Sequence, residues 1–158
     1  MTIRLDVLRH GRAEPAAEAG DAARVLTAAG AAELGQLAAR LALERWRVDR
    51  AFVSPLLRAR QTAELVLGER PTAELVTLPE LDPDADPETL GAALEALVEP
   101  GRSALVVGHL PLLGRFARWL THEVVAFAPG TMATIACEHR IVAGAGRIER
   151  LFEPPDYR

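Results

Sequence analysis

Lysine is absent from the sequence, and all 18 basic residues are arginines. Without lysine the chain cannot form a Walker-type phosphate-binding loop, use Schiff-base chemistry or employ a lysine general base. Cysteine occurs once, as Cys137, which excludes an intrachain disulfide and a zinc site built from cysteine pairs. Cys137 lies in a strand-like run, so we expect it to be a small core residue rather than a reactive thiol.

Long apolar runs and an excess of positive charge are also missing. No stretch is long and apolar enough to span a membrane, and Arg4 and Asp6 interrupt the first apolar run, which argues against a signal peptide. The formal net charge of −4 argues against nucleic-acid binding through a general basic field. We therefore expect a cytoplasmic protein that binds neither membranes nor nucleic acid.

What is present is an ordinary globular composition, with 49% hydrophobic and 25% charged residues. No repeat or linker is visible, so we expect one domain covering residues 1–158. Strand-like runs alternate with segments of helical spacing, which predicts an α/β fold, a three-layer α/β/α sandwich with a mostly parallel central sheet. The last two strand-like runs, residues 132–137 and 146–152, lack an intervening helix and are expected to form an antiparallel edge.

Two predicted helix starts matter for the site. Thr27 is a plausible N-cap for the first long helix, and Ser54 followed by Pro55 predicts a capped start for the second. Arg58 then falls in the first turn of the second helix. Because helical side chains lean toward the amino terminus, Arg58 can reach back over the ends of the strands.

The first predicted strand ends in Arg9, His10 and Gly11. Ligands bind at the carboxyl ends of the strands in open α/β sheets, and glycine lets the chain turn sharply while a ligand approaches the backbone. A neutral imidazole can attack phosphorus, and a guanidinium group can bind phosphoryl oxygens through two hydrogen bonds. We interpret His10 as the nucleophile of a phosphate-transferring site and Arg9 as one of its anion clamps.

Other predicted strands also end in polar residues that could share this crevice. Each has an ordinary structural explanation by itself: Arg58 could be a solvated helix cation, and His109 could be a residue at a helix start. Two arginines and two histidines at one sheet edge would nevertheless make a pocket for a multiply charged oxyanion, so their joint occurrence favours a functional site. The residues concerned are Ser54 leading to Arg58, then Glu80, then Gly108 and His109.

Three motifs occur in a fixed order and cover most of the chain. Together they resemble the signatures of the histidine phosphatase superfamily, over about residues 3–136, and imply a phosphoglycerate mutase-like fold. The motifs are residues 8–11 (Leu-Arg-His-Gly), residues 54–63 (Ser-Pro-Leu-Leu-Arg-Ala-Arg-Gln-Thr-Ala) and residues 107–111 (Val-Gly-His-Leu-Pro).

Shorter features point to one branch of that superfamily. The compact length and the stretches at 78–81 (Leu-Pro-Glu-Leu) and 109–112 (His-Leu-Pro-Leu) look most like the SixA branch, the protein phosphohistidine phosphatases. The resemblance implies a hydrolase that works without metal or cofactor. It implies that His10 accepts the phosphoryl group and that water then hydrolyses the phosphohistidine. Arg9, Arg58 and His109 would hold the equatorial oxygens, with a backbone carbonyl fixing the His10 tautomer.

Two further residues are less firmly connected to the site. Glu80 resembles the acid that follows the third strand in other branches, and an exposed loop carboxylate is the alternative interpretation. Arg12 departs from the family pattern, which more often has an acidic or neutral residue after Arg-His-Gly. At the rim beside Gly11, Arg12 would strengthen phosphate binding or indicate a different substrate.

The short connections after Leu8, Val53 and Leu78 leave little sequence for a lid over the site. An open site suits a phosphorylated side chain on another protein, so we predict a phosphohistidine on a signalling or phosphotransfer protein as substrate and inorganic phosphate as product. A small-molecule phosphomonoesterase of the same superfamily is the alternative. A non-catalytic phosphate-binding module is a third hypothesis, against which the joint presence of the four site residues counts.

Overall fold

The computed structural model describes residues 1–16, 18–69 and 74–158. Its regular elements follow the predicted alternation of strands and helices. In chain order they are β1 (Thr2–Arg9), α1 (Ala28–Leu43), β2 (Arg50–Val53), α2 (Leu57–Leu67), β3 (Glu74–Thr77), α3 (Pro87–Leu97), β4 (Ser103–Gly108), α4 (Leu112–Thr121), β5 (Met132–Glu138) and β6 (Gly146–Phe152). Short 3₁₀ turns lie at Asp21–Ala23 and Pro79–Leu81.

The six strands form one sheet in the order β3-β2-β4-β1-β5-β6. The first four strands in that order run parallel, whereas β5 is antiparallel to β1 and β6 is antiparallel to β5. The predicted parallel sheet with an antiparallel edge is therefore confirmed. Strands β1 and β4 lie side by side in the middle of the sheet, so their carboxyl ends form the centre of one edge.

The core has two layers because side chains alternate between the two faces of each strand. In β1, Leu5 and Val7 pack toward α3 and α4, whereas Leu8 packs toward α1 and α2. In β4, Val106 and Val107 divide in the same way, which explains why this strand is an uninterrupted apolar run. Helices therefore cover both faces of the sheet, as the three-layer prediction requires.

One polar residue, Asp6, is buried in the middle of β1 with 1% of its surface exposed. Its carboxylate accepts hydrogen bonds from the Thr134 hydroxyl at 2.6 Å and the Trp46 indole at 2.8 Å, and Arg4 lies 3.5 Å away. Burial raises the pKa of Asp6, and these partners oppose that rise. The hydrogen bonds make a carboxylate tolerable in this strand because a buried charge without partners would be strongly destabilising.

The predictions for local structure are correct for Thr27 and wrong for Ser54. The Thr27 hydroxyl accepts the N–H of Gly30 at 2.9 Å and caps α1. Helix α2, in contrast, begins at Leu57, its N-cap is Leu56, and no side chain caps it. The Ser54 hydroxyl lies outside the helix, where it accepts the N–H of Leu56 at 3.2 Å and also bonds a histidine of the site.

Cys137 is fully buried in the core, as predicted, and burial raises the pKa of its thiol to about 12. A thiol with so high a pKa is protonated at neutral pH and therefore a poor nucleophile.

None of the helices in the described residues has both the length and the apolar character needed to cross a membrane.

Candidate active site

The sheet register places His10 and His109 next to each other. Arg9 of β1 pairs with Gly108 of β4, so the two histidines leave neighbouring strands at the same level. The His10 N–H donates to the Gly108 carbonyl at 3.0 Å, and the two imidazole rings lie 5.0 Å apart between centroids. On the other side of β4, the N–H of Ser54 donates to the Val107 carbonyl at 3.1 Å.

The His10 ring has a defined tautomer. Its Nδ1 lies 2.7 Å from the carbonyl oxygen of Gly11. Because a carbonyl can only accept, Nδ1 carries the ring proton and Nε2 keeps a free lone pair. His10 is 8% exposed, and burial together with the charges of Arg58 and Arg9 lowers its pKa to about 4, against the opposing effect of the Gly11 bond. At neutral pH the ring is therefore an uncharged nucleophile.

Gly11, expected to bind substrate, positions the nucleophile through its backbone. Its carbonyl holds His10, and its N–H donates to the Thr62 hydroxyl at 3.1 Å. Thr62, fully buried on α2, donates in turn to the Arg58 carbonyl at 2.8 Å. A Cβ on Gly11 would lie 2.8 Å from Leu34 of α1, so only glycine fits this close approach without displacing that side chain.

Arg58 lies in the first turn of α2 as predicted and is only 5% exposed. Its guanidinium donates to the Asp21 carbonyl at 3.0 Å and forms an ion pair with the Asp21 carboxylate at 3.3 Å. Asp21 also pairs with Arg24 at 3.1 Å, and this pairing holds the pKa of Asp21 below its usual range. Arg58 is therefore fixed from outside the sheet by a carboxylate that stays charged.

Arg9 and His109 complete the group. The Arg9 guanidinium donates to the Phe127 carbonyl at 2.8 Å. His109 is 1% exposed, its Nε2 lies 2.6 Å from the Ser54 hydroxyl, and its pKa is lowered to about 3 by burial and by neighbouring charges, His10 first and then Arg58. When the Ser54 hydroxyl donates to Nε2, the proton of the neutral ring sits on Nδ1, which is then a donor.

Three buried nitrogens of these residues have no hydrogen-bond partner within the described part of the chain. They are Nε of Arg9, Nε of Arg58 and Nδ1 of His109. Buried polar groups in native proteins normally have partners, so a group of orphaned donors beside a neutral His10 is a feature that an anionic ligand would satisfy. The structure thus brings together the four principal residues predicted from the sequence.

Two predicted residues are not part of this group. The Arg12 side chain is 61% exposed and pairs with Glu33 of α1 at 3.0 Å. Glu80 is half-buried in the 3₁₀ turn after β3, and it forms no ion pair or side-chain hydrogen bond with any residue that the structure describes. The proton-donor role of Glu80 and the substrate-binding role of Arg12 stay predictions.

Sequence reasoning missed the contacts of three residues that shape the site. Ser54 was assigned to a helix cap, whereas its hydroxyl contacts His109. Asp21 and Arg24 lie in the polar loop after β1, and no sequence motif points to them. The one available indication is that their loop follows a strand that ends in Arg9 and His10. In residues 1–16, 18–69 and 74–158, no group of three or more His, Cys, Asp or Glu residues could hold a metal ion.

We expect the His10 ring to titrate at about pH 4 in the ligand-free protein, far below its ordinary value of 6.5. On acidification the unfolded chain binds this proton first, so the free energy of unfolding should fall from about pH 6.5 downward and level off below the folded-state pKa. NMR titration of the ring Cε1–H signal, assigned by its loss in His10→Ala, measures this pKa. A midpoint near 6.5 would contradict the buried, neutral nucleophile.

Comparison with known proteins identifies relatives of this chain. Residues 5–83 match the model of the histidine phosphatase superfamily (branch 1). The phosphohistidine phosphatase SixA of Escherichia coli K12 is 42% identical over 112 residues, which are 68% of each chain.

Solved structures are similar to this chain over nearly its whole length. A structure of the protein histidine phosphatase SixA complexed with tungstate superimposes with a TM-score of 0.83 and 33% identity over 96% of both chains. A SixA structure from Agrobacterium tumefaciens gives a TM-score of 0.79 and 26% identity over 96% of this chain and 98% of the other. The predicted three-layer fold and the predicted family are both confirmed: this chain belongs to the histidine phosphatase superfamily.

Proposed function

We propose that this phosphatase removes the phosphoryl group from a phosphohistidine on another protein, through a covalent intermediate on His10. The similarity to SixA in sequence and in structure supports a phosphohistidine phosphatase. The observation that carries the residue assignments is a neutral His10 with a free Nε2 beside the orphaned donors of Arg9, Arg58 and His109. It favours an enzyme over a binding module, because a pocket that only binds anions has no need of an uncharged nucleophile.

The proposed reaction has two steps. In the first, His10 Nε2 attacks phosphorus, a new N–P bond forms, and the bond from phosphorus to the substrate imidazole breaks with its electron pair leaving on that nitrogen. In the second, water attacks the phosphorus, the N–P bond breaks with its electron pair returning to Nε2 of His10, and inorganic phosphate leaves with the oxygen of the water, while a proton of the water restores the acid used in the first step. Arg9 and Arg58 stabilise the charge on the equatorial oxygens in both transition states, and Nδ1 of His109 donates a hydrogen bond to one of them.

The leaving nitrogen needs a proton, and the proposal gives Glu80 that role. Glu80 is the only residue predicted from the sequence to act as an acid, and its place in the turn after β3 puts it at the carboxyl edge of the sheet. Asp21 is the acidic side chain that contacts Arg58, but its lowered pKa makes it a carboxylate and therefore a poor acid.

The choice of substrate is supported by what SixA binds and by the loops of this chain. Tungstate, bound in the SixA structure, is a tetrahedral oxyanion like phosphate, which agrees with an oxyanion pocket. In the part of the chain that the structure describes, the connections from β1, β2 and β3 into the next elements contain no helix or strand beyond the two 3₁₀ turns, which supports the approach of a protein surface. A small-molecule phosphomonoester remains the alternative substrate.

A cytoplasmic location and a single domain over residues 1–158 stay predictions of the sequence.

We expect wild-type protein to release phosphate from a phosphohistidine peptide with a higher kcat/KM than from sugar phosphates or a chromogenic phosphomonoester. Steady-state phosphate release on the three substrates measures this, with correction for spontaneous hydrolysis of phosphohistidine. If the phosphomonoesters are hydrolysed and the phosphohistidine peptide is not, the substrate assignment fails and the small-molecule alternative takes its place.

A further inference from the structure

An apolar groove opens directly beside the catalytic group. It has a volume of about 760 Å³ and lies between the start of α4, the loop before β5 and the segment after β6. Leu110, Pro111 and Gly114 form one wall, and Phe127 lies in the opposite loop. Among the described residues that line the groove, Glu153 is the one charged side chain.

The groove is continuous with the site because they share structural elements. Leu110 follows His109 in the chain, and the carbonyl of Phe127 is the group that anchors the guanidinium of Arg9. A substrate whose phosphoryl group is held at His10 therefore has the groove as an immediate neighbour. The ion pairs of Asp21 with Arg24 and Arg58 also border the site, and they are polar.

The lining identifies the chemistry that fits. Leu110 is 37% exposed, and Ala126 and Ala128 are also exposed, so part of this apolar surface faces water. Apolar surface next to a catalytic centre is stabilised when an apolar group of the substrate covers it. The carboxylate of Glu153 lies at the rim of the groove, where it favours a positively charged group of the bound substrate.

We propose that this groove binds the apolar residues that flank the phosphohistidine of the protein substrate, with an arginine or lysine of that segment at Glu153. The inference rests on the proposed function, and it adds that the enzyme reads the sequence around the phosphorylated residue. The phosphoryl group is bound by the four site residues in any substrate, so the groove contributes selectivity rather than chemistry.

Gly114 offers a way to fill the groove without disturbing the fold. A Cβ at this position in α4 meets only Leu110, at an ordinary contact distance of 3.6 Å. Gly35 of α1 is a matched control, because it is also a helical glycine and a Cβ there meets nothing within 4 Å. Gly114→Gln and Gly35→Gln therefore add the same uncharged side chain to a helix. The first places it in the groove, and the second places it far from the groove.

The experiment compares two phosphohistidine peptides, one with leucines beside the phosphohistidine and an arginine beyond them, the other with serines in place of the leucines. We expect wild-type protein to prefer the leucine peptide about tenfold or more in kcat/KM, as burial of a leucine side chain implies. Gly114→Gln should lose this preference while keeping its rate on the serine peptide, and Gly35→Gln should keep it. Glu153→Gln should lower kcat/KM on both peptides alike, because both carry the arginine, and it should keep the leucine preference.

Equal rates of the wild type on both peptides, or a leucine preference that survives Gly114→Gln, would overturn the groove proposal and leave the proposed function standing. An equal loss on both peptides in Gly114→Gln would also overturn it, since the groove would then serve catalysis itself. If neither peptide is hydrolysed while a chromogenic phosphomonoester is, the proposed function fails, and the groove proposal fails with it.

Discussion

Replacing His10 with alanine is expected to lower kcat by about 10⁴-fold or more, because the variant has no group that can accept the phosphoryl group. Among the described residues of the site, the neutral ring with a free Nε2 is the feature that the proposed covalent intermediate requires. Phosphate release from a phosphohistidine peptide measures the loss. A brief reaction of the wild type should in addition trap acid-labile, alkali-stable phosphate on His10, and the variant should trap none.

His139→Asn is a matched control for this result. His139 is exposed, and its φ of 64° is a conformation that asparagine tolerates. Its turnover and trapped phosphate should equal those of the wild type. Substantial turnover by His10→Ala, with the phosphate trapped elsewhere, would show that another group is the nucleophile and would remove the basis of the proposed mechanism.

Replacing Arg58 with lysine is expected to lower kcat/KM by about 10²-fold or more, although the positive charge is kept. Lysine lacks the planar fork that binds two phosphoryl oxygens at once, and it cannot keep both contacts of Arg58 with Asp21. Losses of this size follow removal of one preorganised donor from a site where charge develops. Steady-state kinetics on the phosphohistidine peptide give the value, and thermal unfolding shows whether the variant is folded.

Arg60 allows the same substitution on the same helix, away from the site. It is exposed, and its guanidinium donates to the Thr77 hydroxyl at 3.0 Å. Arg60→Lys should leave kcat/KM within about twofold of the wild type, as is usual for changes at exposed positions. Similar losses in both variants would mean that Arg58 acts through the stability of α2 and not through phosphate.

Much of the site could be predicted from the sequence because its residues stand at ends of recognisable strands. Two apolar runs had to be buried parallel strands. One ends in Arg9 and His10, and the other ends before His109. Parallel strands bring their carboxyl ends to one edge. Arg58 followed from its place in the first turn of a helix, since side chains there lean back toward that edge.

Other assignments failed or stayed open because a local pattern does not show which partner a side chain meets. Ser54 before a proline is a good helix-capping signal, yet its hydroxyl bonds His109, which lies 55 residues away. Arg12 stands next to Gly11 in the sequence, and its side chain turns to Glu33 on α1. Asp21 has no signal in its own loop, because its function depends on the guanidinium of Arg58.

The sequence by itself determined the α/β architecture, the edge of the sheet that carries the site and the four residues that meet there. It could do so because strand and helix periodicity, and the order of motifs along the chain, are local properties. Only the tertiary structure decided which carbonyl fixes the tautomer of His10, the Ser54–His109 contact, the apolar groove and the partners of Asp6. Each of these depends on a contact between segments far apart in the chain. Asp6 and Thr134, for example, differ by 128 in residue number, and their contact forms only once the sheet and helices have packed.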